Sequence, residues 1–526
     1  MQGAPTASTR THPVGTWLGG LLVAAAGAWV FRGALVQFFA ADDFPALARA
    51  MGLLPRLHGL WRLLSGQLYF DLMRPIAGLD PRGYHAASLL LHLGCAVALY
   101  GLLRRHLSTP AALAGATCFA THPAHFTTTY WVSAVGGPLA LLLALGALFA
   151  GLRRDPLRWL AVPLFAAALL ARESVVLLPL GLVVMLEWES RLRSEGGAHA
   201  WRDPLALTLA GLALALAGSF AAGDVMGAQS GSAAYRLDLG RGLLANLMTY
   251  LGWTANFLLP TVRRFQDAAD PLVYGWGAGL LLLWLAGSAS IGLRRRGWLA
   301  AGALYLAFLL PVLPLGHHTY HYYLQAPLAG FAWCVAAALD LCFERLSRPD
   351  RPTARPRRGP AAASPPDHPG PGALRWGLAL AAVALFTANG ALLVRRIETT
   401  PFPGAPGLHS DATVDRAAIA KNAIASLRES PLPERARILF WSPIGRSLAG
   451  DPGRPEGYFE RNVRAALFDG LAVRVFFPGV DSVRFVSAYR SLPGPYRYAV
   501  YRPDGRLRVA SSAVLDSVLA GSASSR

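Results

Sequence analysis

Apolar residues in this chain come in long runs, not in the alternation of strands or the one-sided spacing of soluble helices. A run of roughly 20 apolar residues crosses a bilayer as a helix. Runs that approach or reach that length occur at about 16–38, 83–103, 111–130, 134–152, 157–171, 174–189, 203–222, 272–293, 298–316, 322–343 and 375–394. A further apolar stretch, 242–260, reads as a re-entrant or interfacial helix rather than a crossing. The pattern predicts an all-α polytopic membrane protein with about eleven transmembrane helices.

Three segments break the pattern. In residues 39–82, Leu47, Met51, Leu54, Leu57, Trp61, Leu64 and Leu68 recur at helical spacing, which predicts an amphipathic helix lying in the membrane interface. Residues 346–374 are rich in Pro and Arg and read as a disordered linker. Residues 397–526 are mixed in composition. There ARILFWS, AVRVFFPGV, VRFVSAY and YRYAVYRP read as short strands, predicting a small α/β or α+β domain. The expected division is a membrane domain over 1–343, the linker over 344–374, a last transmembrane helix over 375–396 and the C-terminal domain over 397–526.

Composition agrees. Of 526 residues, 54% are apolar and 15% charged, and mean hydropathy is +0.37; soluble domains are nearer a quarter charged. The net charge of +19 is almost wholly arginine, Lys421 being the single lysine, so it reflects genome composition more than a nucleic-acid partner. The arginines set topology instead. Arg104 and Arg105; Arg153, Arg154 and Arg158; Arg191, Arg193 and Arg202; Arg294 to Arg296; and the run from Arg345 to Arg358 mark alternate loops, which places those loops in the cytoplasm. The expected protein sits in a bacterial inner membrane with its N-terminus inside, its C-terminus outside and an uncleaved first span. Cys95, Cys118, Cys334 and Cys342 form no CxxC, so neither a zinc ribbon nor a redox motif is supported.

This topology gathers the polar residues at the outer face. Asp42 and Asp43 end span 1, and Arg74 lies in the same outer loop. His85 enters span 2, with His92 two turns on; His122 and His125 end span 3; Arg172 and Glu173 form the turn between spans 5 and 6; His317, His318 and His321 follow span 9. Seven of thirteen histidines thus lie near one face, while span centres hold almost no acidic residue. An ion-coupled transporter gathers such groups near the midplane. A site at the interface suits a substrate with a polar head and a lipid tail.

The stretches MRPIAGLDPRGYHAASLLLHLGCAVALYGLLRR, FATHPAHFTTTYWVSAVGG and LLARESVVLLPLGLVV together resemble the GT-C superfamily of membrane glycosyltransferases, nearest the protein O-mannosyltransferase-like branch. YLQAPLAGFAW is similar to that branch's YLYLPxxGF signature. The resemblance covers about residues 16–343 and excludes the C-terminal domain. It implies transfer of a sugar from a polyprenyl-phosphate donor to a glycan, lipid or protein acceptor at the non-cytoplasmic side. It matches the family's acidic pair to Asp42 and Asp43, and its lysine–glutamate pair to Arg172 and Glu173. The arginine usual near the last signature has no match; His321, Tyr322 and Tyr323 stand there.

The chemistry of these residue types points the same way. No phosphate-binding GxxxxGK[ST] loop or dinucleotide GxGxxG turn is present, and a lipid-linked phosphosugar carries its own activation. An acceptor hydroxyl needs a general base, for which Asp42 and Asp43 are the candidates. The leaving phosphate needs cations, for which Arg74 or Arg172, with His122, are the candidates, and His85, His125, His317, His318, His321 and Glu173 complete the expected substrate-binding set. No cofactor is required; the three spaced histidines after span 9 make only a weak signal for a divalent metal. The alternatives are a lipid or glycolipid transporter, and a non-catalytic scaffold that presents the C-terminal domain.

Overall fold

The protein is described from a computed structural model, which covers residues 13–57, 60, 62–192, 211, 240–255, 271–315, 319–346, 371–402, 407–442 and 458–523. Among these residues six helices are long and apolar enough to cross a membrane: Trp17–Val36, Pro81–Arg104, Val132–Gly151, Pro271–Ala289, Pro327–Leu346 and Gly372–Thr399. Two shorter apolar helices, Pro156–Ala171 and Trp298–Leu309, pack with them. The expected span 203–222 and the linker over 347–370 lie outside the described residues, apart from Gly211.

Two predicted spans are interrupted. The run 111–130 is helical over Thr109–Thr121, then turns at His122, whose ψ is 127°, before a short helix at Phe126–Tyr130. Pro123 is the cause: it supplies no N–H and excludes the α conformation from the residue before it. The run 174–189 begins as a 3-10 turn at Glu173–Val175 and becomes a helix only over Leu178–Leu192. Both breaks lie at the same end of the bundle, so the backbone is irregular where the polar residues collect. The stretch read as re-entrant forms Arg241–Ala255, running antiparallel along Pro271–Ala289.

The basic loops share the other end. Arg105 donates to Leu152 O at 2.7 Å and lies 3.6 Å from Glu189; Trp188 donates to Arg294 O at 3.1 Å; Arg296 pairs with Asp340 at 2.8 Å. Helix pairs approach closely where glycine allows it. A Cβ on Gly115 would lie 2.6 Å from Ala336 Cβ and 2.7 Å from Ala332 O, so Gly115→Val should wedge Thr109–Thr121 away from Pro327–Leu346. Overpacking of this kind costs about 1–3 kcal/mol. The expected result is a lower Tm in detergent, read by tryptophan fluorescence; an unchanged Tm would show that the pair has slack.

The C-terminal domain is a four-stranded sheet in the order β2-β1-β3-β4, with β1 at Arg437–Trp441, β2 at Ser482–Phe485, β3 at Tyr496–Tyr501 and β4 at Leu507–Ala510. The first three strands are parallel and β4 is antiparallel. The helix Ala412–Arg428 packs on the sheet through Ile419, Ala423, Ile424 and Leu427. AVRVFFPGV is not a strand: Leu471–Phe476 is helical, entered through Gly470 at φ 91°.

The outer loop also differs from expectation. It is not one amphipathic helix in the interface. It is helical over Asp43–Ala50, turns at Gly52 (φ 75°), passes through a π-helical turn at Leu63–Leu68 and resumes over Tyr69–Ala77. Its apolar residues Phe44, Leu47, Phe70 and Met73 share one contiguous core with Ile438, Phe440, Val473 and Ala499. Of the periodic face, Leu47, Met51 and Leu54 pack in this shared core, whereas Leu64 packs on the membrane-domain core and Leu57 and Leu68 are exposed.

Candidate active site

A cavity of about 750 Å³ opens between the irregular end of the bundle and the C-terminal domain. Three sources line it: the loop Ala40–Asp42, the breaks around Arg62, Trp131, Arg172 and Thr319–Tyr323, and the first turns of the Ala412–Arg428 helix with Asp411, Thr413 and Arg416.

The two adjacent aspartates have separate fates. Asp43 is fully buried and faces away from the cavity. Its Oδ1 accepts from Ser133 N at 2.7 Å and Ser133 Oγ at 2.6 Å, and its Oδ2 accepts from Ala40 N at 2.9 Å. Burial pushes its pKa up to about 7, the three donors notwithstanding, and the like charge of neighbouring Asp42 adds to the rise. It ties the end of the first helix to the loop after the third. Asp42 stands at the N-terminal boundary of the Asp43–Ala50 helix without capping it and lines the cavity. Partial burial raises its pKa, with Arg416 and then Arg62 pulling the other way. A carboxylate that is accessible, unsequestered and raised in pKa is suited to general-base work; Asp43 is not.

Arg172 and Glu173 do not pair with each other. Arg172 is buried, its guanidinium 4.9 Å from the Tyr322 ring centre and 5.1 Å from Tyr323. Stacking on two rings leaves the planar edge of the fork for an anion. Glu173 is gripped by Arg62 through two nitrogens, Nε donating to Oε2 at 3.1 Å and Nη2 to Oε1. Burial would raise Glu173, but the Arg62 charge and hydrogen bond, with Arg172 beyond, outweigh it and hold the carboxyl at about 2. Arg62 has φ 53°, a left-handed backbone uncommon for a non-glycine residue, at the entry to the π-helical turn. Ser65 of that turn donates to Ala171 O at 2.7 Å, so Arg62 is held against the Arg172 turn.

The histidines divide sharply. His85 is buried and donates through Nδ1 to Thr129 O at 3.2 Å; His92 donates through Nε2 to Ala120 O at 2.9 Å. His122 spends both ring nitrogens on backbone, Nε2 donating to Thr254 O at 3.2 Å and Nδ1 accepting from Ala124 N at 3.1 Å. His125 lies 2.6 Å from Gln325 Oε1, which also accepts from Thr128. None of the four lines the cavity, so the structure does not bring His85, His122 and His125 together with Asp42 and Arg172 there. They fasten the broken span to its neighbours, where Pro123 leaves backbone groups to satisfy. His321 does line the cavity, stacked on Trp253 at 3.8 Å; burial and nearby His122 push its pKa well down, so it stands neutral. His317 and His318 lie outside the described residues. Arg74 sits near Tyr84 and outside the cavity lining. Among the described residues no group of three or more metal-ligating side chains forms.

Sequence reasoning passed over Arg62, Arg416 and Asp411. The outer loop offers Arg49, Arg56, Arg62 and Arg74 without ranking them, and Arg416 follows a helix cap that looks purely structural: Asp411 Oδ1 accepts from Thr413 N at 2.9 Å and Val414 N at 3.2 Å. Docking of the domain brings Arg416 and Asp411 to the cavity, and the π-helical turn brings Arg62.

No protein-family model matches the chain, and no curated protein matches it. Among solved structures the chain is similar to ArnT from Cupriavidus metallidurans, in a crystal structure bound to undecaprenyl phosphate, at 12% identity and a TM-score of 0.47 over 89% of this chain and 90% of that one.

Proposed function

We propose that this protein is a GT-C-type membrane glycosyltransferase, moving a sugar from a polyprenyl-phosphate donor to an acceptor at the outer face. One observation carries the reading. Asp42 and the cations Arg172 and Arg62 line a single cavity at the polar end of an apolar helix bundle, large enough for a sugar phosphate and an acceptor hydroxyl.

The residues divide the work as follows. Asp42 takes the proton from the acceptor hydroxyl. The acceptor oxygen attacks the anomeric carbon as the bond from that carbon to the phosphate oxygen breaks. Charge builds on the leaving phosphate, where Arg172, already fixed over Tyr322 and Tyr323, meets it without reorganisation. Arg62, neutralised in part by Glu173, shapes that wall and lends a weaker field. A single displacement inverts the anomeric centre. Asp43 takes no part beyond placing Asp42.

The test is transfer from a panel of radiolabelled polyprenyl-phosphate sugars to membrane acceptors, with the protein in native membranes. Wild type should transfer one or more sugars. Arg172→Ala should lower kcat/KM by about 10²-fold, an effect of the size seen when one preorganised donor to a developing anion is lost. No transfer of any sugar by wild type would sink the proposal, and full activity in Arg172→Ala would move the phosphate elsewhere.

A further inference from the structure

We propose that the C-terminal domain forms half of the active site, with Arg416 as a positioning residue for Asp42 and Phe476 as part of a clamp on the Asp42 loop. The proposal rests on the reading of Asp42 as the base, but its geometry is independent of the substrate.

The clamp is visible on both sides of the loop. On the domain side, Phe476 stacks on Phe38 with ring centres 5.5 Å apart and planes at 26°, and Ala41 N donates to Ala466 O at 3.2 Å. On the membrane side, Trp131 Nε1 donates to Ala40 O at 3.3 Å, and Phe39 meets Tyr84 edge-on at 5.2 Å. Between these supports Ala41 is held at φ 47°, a left-handed conformation that alanine rarely adopts. Such a residue persists only where its surroundings over-determine it. The bond to Ala466 lies on this strained residue, one position before Asp42, so the domain sets the direction in which Asp42 points.

Arg416 supplies the electrostatic half. It lines the same cavity as Asp42, makes no ion pair with a carboxylate among the described residues, and has its Nε buried without a hydrogen-bond partner there. Neighbouring Asp415 is already taken, accepting from His409 N at 3.0 Å and from Asn462. The other charged or titratable groups lining the cavity around Asp42 are Arg62, Arg172, His321, Asp411 and the tyrosines Tyr320, Tyr322 and Tyr323, with Asp43 adjacent in the chain. Arg62 is committed to Glu173 and Arg172 to the tyrosine rings, and Arg416 favours ionised Asp42 more strongly than Arg62 does. Since the base must be ionised to accept a proton, removing Arg416 moves the acid limb of the rate profile to higher pH.

Two measurements on the full chain in nanodiscs test this. In hydrogen exchange, Phe476→Leu should speed exchange of peptides spanning 38–44 at least threefold while peptides over β1 (437–441) exchange as in wild type. Unchanged exchange at 38–44, or an equal rise over β1, would overturn the clamp. In transfer assays, Arg416→Gln should move the acid limb of kcat/KM up by about one pH unit, a tenfold change in ionisation, and Arg416→Lys should restore most of it. A lower rate with the limb in place would overturn the role of Arg416. Absence of transfer by wild type would sink the glycosyltransferase reading and leave the exchange result standing.

Discussion

Asp42→Asn will lower sugar transfer by about 10²- to 10⁴-fold, the range that loss of a positioned general base produces, and will leave the fold intact. The side chain holds nothing together: it makes no cap hydrogen bond on its own helix, and its carboxylate looks into the cavity. Asparagine keeps the volume and loses only the capacity to take a proton. The check is kcat/KM for wild type and Asp42→Asn, alongside Tm in detergent. Activity within threefold of wild type would refute the assignment. So would a loss of activity matched by an equal loss of folded protein. Because the wild-type carboxyl is raised above the ordinary aspartate range, transfer should also fall at acid pH as Asp42 is protonated, with the limb above where an ordinary aspartate would place it.

How far the sequence revealed this site depends on the distance over which each feature is determined. Helix runs such as 83–103 are legible because a bilayer imposes the same requirement on every residue of the run, and Pro81–Arg104 follows the reading closely. Strands β1, β2 and β3 fall on three of the four predicted segments, and β4 was not foreseen. AVRVFFPGV misleads because Val and Phe favour strands in general, while here Val473 and Val475 fill the core beneath the sheet from a helix. The apolar spacing of the outer loop was legible as periodic but not in destination, since an apolar face does not say whether lipid or another domain covers it. The gathering of Asp42, Arg172 and His321 at one end followed from topology and the structure brings them to one cavity. His85, His122 and His125 share that end of the bundle yet serve the backbone, because the sequence does not show which carbonyls Pro123 and the helix breaks leave unsatisfied. Arg62 and Arg416 depend on a backbone conformation and a domain contact far from them in sequence, so local pattern carries no mark of either.

Asp43→Ala should behave as the mirror image of Asp42→Asn, unfolding the protein more than it damages the chemistry. Removing the carboxylate, itself fully buried, strands Ala40 N in the interior and Ser133 N and Ser133 Oγ at the partly buried wall of the cavity. Unsatisfied buried donors cost about 1–3 kcal/mol each, and with the serine hydroxyl free to rotate the loss is about 3–5 kcal/mol. A second effect opposes it. The folded pKa of Asp43 stands at about 7, above its ordinary 3.8. A raised acid contributes stability that is complete below about pH 4 and is lost as pH rises through 7. The full span of that loss is about 4 kcal/mol, at 1.36 kcal/mol per pH unit. Wild type therefore weakens with rising pH and Asp43→Ala, lacking the group, does not. The Tm deficit of the variant should be large at pH 5 and smaller at pH 8, while Asp42→Asn stays near wild type at both. Tryptophan-fluorescence melts in detergent at the two pH values decide it. A deficit equal at the two pH values would mean that the three donors hold Asp43 ionised throughout, and no deficit at either pH would mean that the loop is fixed by the C-terminal domain alone.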